Sequence, residues 1–88
     1  LIGFSEDKNL KEILQYLPNA DFIYATKSSN ERSLGSNEIG NLMKEGECIC
    51  IDNYKVAFRE LMGKVNNKDL VLITGSAFLV GNILHDFY

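Results

Sequence analysis

Three observations predict an α/β domain for this sequence: a mainly parallel sheet of four strands, or slightly more, with helices covering both faces. First, four short apolar runs punctuate the chain: Leu1 to Phe4, Phe22 to Ala25, Cys48 to Ile51 and Leu70 to Ile73. They are unbroken rather than alternating, as strands buried on both faces are. Second, their first residues, 1, 22, 48 and 70, stand at intervals of 21, 26 and 22, which leaves room for one helix and two short turns between each pair. Third, apolar residues between the runs recur at helical spacing.

The first interval carries Leu10, Ile13, Leu14 and Leu17 on one helical face. Asp7 is the expected cap, Pro18 the terminator, and Lys8, Lys11, Glu12 and Gln15 the water-facing side. After the second run comes Thr26 to Arg32, too rich in turn formers for a regular element and therefore a loop at a strand's carboxyl end. A short helix should follow, capped by Ser36, buried through Ile39, Leu42 and Met43, and released at Gly46. Asp52 or Asn53 can cap the next helix. Its apolar face is Val56, Ala57 and Leu61, with Phe58 as a further candidate, and Gly63 with Asn66 and Asn67 should end it.

The last strand runs into Thr74, Gly75 and Ser76 and then a helix from about Ala77 to Asp86, burying Leu79, Val80, Ile83 and Leu84. Gly75 supplies the permissive turn and Ser76 the cap, while Gly81 could bring the helix close to the sheet. In such sheets ligands gather outside the carboxyl ends of the strands. The loops after Phe4, Ala25, Ile51 and Thr74 are therefore where function is expected.

Composition narrows the classes. The 88 residues are 45% hydrophobic and carry a net charge of −3, with nine Lys and Arg scattered among twelve acids, so no basic stripe suits a nucleic acid. No apolar segment approaches the roughly 18 to 20 residues that span a bilayer, and no signal-peptide pattern is present, so a cytoplasmic setting is the expectation. The chain opens on Leu1 inside an apolar run, which suggests a piece of a longer polypeptide.

Among residues with chemical potential, Cys48 and Cys50 sit two apart in a strand with Cα atoms roughly 6.6 Å apart, so two buried structural thiols are expected. No second pair completes a zinc site. His85, the one histidine, falls in the last turn of the final helix, where a cation suits the dipole. The segment Gly75, Ser76, Ala77, Phe78 lacks the second glycine of a nucleophile elbow, and no GxxxxGK(S/T) loop occurs. Ser76 reads equally as a helix cap and as a ligand contact. Arg32, one of two arginines, lies in the polar loop beside Ser28 and Asn30; its fork suits a carboxylate, although pairing with Glu31 or Glu38 is the plainer reading.

The stretch LVLITGSAFLVGNIL (residues 70–84) resembles the C-terminal signature of folylpolyglutamate and dihydrofolate synthases, members of the Mur ligase superfamily. LIGFSED (1–7) is similar to that family's strand and K/D-bearing turn, Asp21 to Thr26 to its next strand, and NERSL (30–34) to its N-P-R loop. Glu31 stands where the family has proline, and Ala77 and Phe78 where Leu and Tyr are commoner.

The resemblance implies a Rossmann-like three-layer sandwich belonging to an ATP-dependent acid–amino acid ligase. In such an enzyme ATP phosphorylates a folate carboxylate, glutamate's amine attacks the acyl phosphate, and Mg2+ assists. It also implies that Asn30, Arg32 and Ser76 contact the incoming glutamate. The family's P-loop domain and D-G-A-H-N strand lie outside these residues, so the expectation is a C-terminal domain that binds neither ATP nor metal alone and whose open sheet edge invites self-association. Another Mur-type amino-acid ligase and a non-catalytic flavodoxin-like binding module are the alternatives.

Overall fold

A computed structural model describes residues 1–6, 9–43 and 48–88. In chain order its elements are α1 (Leu10–Leu14), β1 (Tyr24–Lys27), α2 (Ser36–Gly40), β2 (Ile49–Asn53), α3 (Tyr54–Lys64) and α4 (Ala77–Phe87). Among the described residues the parallel sheet comprises two continuous strands rather than four. Tyr24 stands opposite Ile49 and Ala25 opposite Cys50, after which a shift sets Lys27 against Asn53.

The outer two apolar runs extend this sheet only as isolated bridges. Ile2 bridges in parallel to Ala25 on one side and to Thr74 on the other. Ile2 N donates to Tyr24 O at 2.8 Å and Thr26 N to Ile2 O at 2.9 Å; across the other edge Thr74 N donates to Leu1 O at 3.1 Å, but Gly3 N reaches Thr74 O only at 3.4 Å. The segments at 1–4 and 70–74 thus lie beside the sheet, 1–4 between β1 and 70–74, with too few regular contacts to make full strands.

Side-chain alternation along β1 generates the layers. Tyr24 packs with Leu1, Ala57, Phe58, Leu61, Leu79 and Ile83 from the α3 and α4 side. The next residue, Ala25, packs on the opposite face with Ile2, Phe4, Leu10 and Ile39 from the α1 and α2 side. Helices therefore cover both faces, as expected. Among the described residues no helix is long and apolar enough to cross a membrane.

Element boundaries depart from the sequence reading in physically instructive ways. The central strands begin one or two residues later than the apolar runs, leaving Phe22 half-exposed. In the first helix Asn9 holds the N-cap position without a side-chain bond, and the expected cap Asp7 lies outside the described residues, as does Gly46. Ser36 is the first helical residue of α2 rather than its cap. It is buried, and its N–H donates to Asp52 Oδ1 at 2.8 Å, so a carboxylate from β2 caps α2 across space.

Asn53 does cap α3, accepting from Lys55 N and Val56 N. That helix continues through Gly63 to Lys64, and the Phe58 side is buried while Val56 is exposed. Leu42 is likewise exposed, just past the end of α2, and Leu84 is exposed within α4, on the side turned away from buried Leu79 and Ile83. Gly81 has open space where a Cβ would stand, so it mediates no close approach. Gly40 does: a Cβ there would lie 2.5 Å from Cys50 Sγ. The two cysteines are free and half-buried rather than buried, and burial together with the adjacent Cys50 thiol pushes Cys48 up to about 11.

Candidate functional site

The turn after the 70–74 segment is set by Gly75, whose φ of 101° lies where glycine is at home. A Cβ at this position would approach Gly3 O to 2.5 Å and the Phe4 ring to 2.7 Å. Ser76 then caps α4, its Oγ accepting from Leu79 N at 3.4 Å. With that lone pair occupied, the hydroxyl hydrogen is left to donate outward, and the first-turn N–H groups face the same side. The positive end of an eleven-residue helix dipole adds to them.

Facing this turn is the loop between β1 and α2, held at several points. Glu6 N donates to Arg32 O and Leu34 N to Phe4 O, each at 2.8 Å, and Ser5 forms an antiparallel bridge with Ser33. Inside the loop, Asn30 Oδ1 accepts from Arg32 N at 3.1 Å, Ser28 Oγ accepts from Asn30 N at 3.3 Å, and the Ser28 and Ser33 hydroxyls bond each other. Asn82 of α4 ties the loop down from outside: its Oδ1 accepts from Ser29 N at 3.0 Å and its Nδ2 donates to Ser29 Oγ at 2.9 Å.

These two turns enclose one cleft of about 280 Å³, lined by Ser5, Asn30, Arg32, Gly75, Ser76, Ala77 and Phe78. All three residues singled out from the sequence thus share one rim. Asn30 has its carbonyl engaged by the loop and keeps its amide to donate. Arg32 pairs through Nε with Glu6 Oε1 at 3.3 Å, not with Glu31 or Glu38. A guanidinium, an amide, a hydroxyl and a helix N-terminus converging on an open cleft make a donor-rich surface for a carboxylate.

The profile of the family described as "Mur ligase, glutamate ligase domain" matches residues 1–77. The chain belongs to this family. A dihydrofolate synthase/folylpolyglutamate synthase of Buchnera aphidicola subsp. Baizongia pistaciae is 33% identical over 81 residues, covering 91% of this chain and 19% of that protein. A 4-hydroxy-tetrahydrodipicolinate reductase of Clostridium novyi (strain NT) is 28% identical over 96 residues, covering 98% of this chain and 37% of that protein. The chain therefore spans about a fifth of the first relative and little more than a third of the second. No solved structure gives a significant match.

In this Mur ligase domain the larger cavity, about 510 Å³, lies at the other end of the sheet, between Leu1, Phe22, Leu61, Val65, Leu70 and Leu72. Its lining is mainly apolar, and the convergent donors are elsewhere. His85 sits exposed on the far end of α4, its Nδ1 3.0 Å from Asp86 Oδ1. Asp86 also accepts from the Tyr54 hydroxyl; these two partners, His85 foremost, hold its carboxyl below the usual range. Among the described residues no group of three or more His, Cys, Asp or Glu could hold a metal.

Two features of the site were not read from the sequence. Glu6 as the partner of Arg32 follows from the pairing of 5 with 33, which no local pattern announces. Asn82 left a signal: it is the one strongly polar residue between Ala77 and Leu84, and an isolated amide on an apolar helix marks a tie to a neighbouring loop.

Proposed function

We propose that this domain holds the incoming glutamate, and helps close the active site, in a folate-directed Mur-type ligase. The observation that carries the reading is the convergence of Arg32, Asn30 and Ser76 on one cleft at the N-terminus of α4. Arg32 takes a carboxylate of the amino acid through its remaining N–H donors, Ser76 and the first-turn amides take a second oxygen, and Asn30 donates from the loop. Folate as the acceptor is supported by the 33%-identical relative; the family match by itself supports a Mur-type ligase for another amino acid equally well. It also favours a ligase over a non-catalytic flavodoxin-like module.

ATP and Mg2+, which the resemblance implies for the whole enzyme, do not fit the residues described here. Neither Gly3 nor Gly75 stands in a phosphate-cradling sequence, and the metal-ligand donor set is absent among the described residues. We assign both to polypeptide beyond these 88 residues, in keeping with the chain's 19% share of its folate relative.

Glutamate titrated into the chain should move the amide resonances of residues 30–32 and 75–76, and alanine should not. Arg32→Ala should weaken binding by about 10- to 100-fold, the range of a lost charge-assisted pair. Unmoved resonances, or binding indifferent to Arg32→Ala, would refute the site.

A further inference from the structure

Arg32 does not wait in the cleft with an empty guanidinium. Glu6 Oε1 accepts from its Nε at 3.3 Å, and the contact joins residues 26 apart in sequence. The backbone holds the two face to face, since Glu6 N donates to Arg32 O at 2.8 Å beside the bridge between Ser5 and Ser33. Their side chains are 56% and 64% exposed, so the pair is cheap to rearrange without disturbing the fold. Arg32 is the single charged residue lining the cleft among the described residues, and Glu6 is the anion set against it.

A ligand carboxylate that reaches Arg32 comes within a few ångströms of the Glu6 carboxylate. For a plain dicarboxylic acid that approach is like charge against like. An α-amino acid carries its ammonium on the carbon next to its carboxylate, where it lies toward Glu6 and offsets the repulsion. We propose that Glu6 is a specificity-determining residue, which makes the cleft prefer an amino acid over a dicarboxylate of the same length. The inference rests on the reading of the cleft as an acidic amino-acid site.

Glutamate and glutarate differ by that ammonium alone, so their affinities for the chain, Glu6→Gln and Glu6→Asp, measured by calorimetry, isolate the effect. The wild-type chain should favour glutamate. Glu6→Gln should shrink the preference by about five-fold, the range of an exposed charge pair, chiefly by tightening glutarate, while Glu6→Asp retains it. Unchanged thermal unfolding of both variants would confirm that the fold is intact.

A wild type that binds glutamate with a preference unmoved in Glu6→Gln overturns the inference and leaves the site standing. Equal tightening of both ligands also overturns it, showing Glu6 to be a simple competitor. If neither ligand binds the wild type, the parent reading fails and takes this one with it.

Discussion

Gly75 is the residue on which the site's geometry turns. Its φ of 101° and the 2.5 Å separation that a Cβ would have from Gly3 O leave no room for any side chain, and the obstacle is backbone, which cannot rotate away. Gly75→Ala should therefore destabilise the chain by about 2–4 kcal/mol in chemical denaturation, combining left-handed strain with the clash. An unchanged midpoint would mean that the turn relaxes freely. At this scale much was legible: a glycine between an apolar run and a helical pattern announced the turn, and the serine behind it the helix cap. The partner of Arg32 was not, because Glu6 and Arg32 meet through the pairing of two segments rather than through any local periodicity.

Individual elements show why strand and helix limits were only partly readable. An apolar run marks where a strand is buried, whereas hydrogen bonding decides where it is continuous, and at 1–4 and 70–74 the regular bonds are few. The start of α2 is governed in the same non-local way. Asp52, on β2, accepts the Ser36 N–H, and that bond holds its carboxyl below the usual range. A carboxyl depressed in the folded state adds stability that is complete above its unfolded value and lost as the pH falls through the folded one. Stability should hence decline on acidification below about pH 4, and Asp52→Asn, which keeps an acceptor but no charge, should flatten part of that slope in pH-dependent thermal unfolding. A variant profile that superimposes on the wild type would assign the acid sensitivity to other groups, Asp86 among them.

For the molecule as a whole, the layered arrangement and the clustering of polar residues at one end of the sheet follow from strand rhythm and chain order, so the place of the cleft was visible before its contents were. A clean preparation of the chain should release no phosphate from ATP with or without Mg2+, because the described residues supply no phosphate loop and no metal-ligand group; magnesium-dependent release would contradict the division of labour proposed above. The paired bonds between Asn82 and Ser29 have a consequence of their own at this scale. They tie a loop on one side of the cleft to the middle of the helix that forms the other, so the spacing of the two walls is set by side-chain bonds as well as by the turn at Gly75.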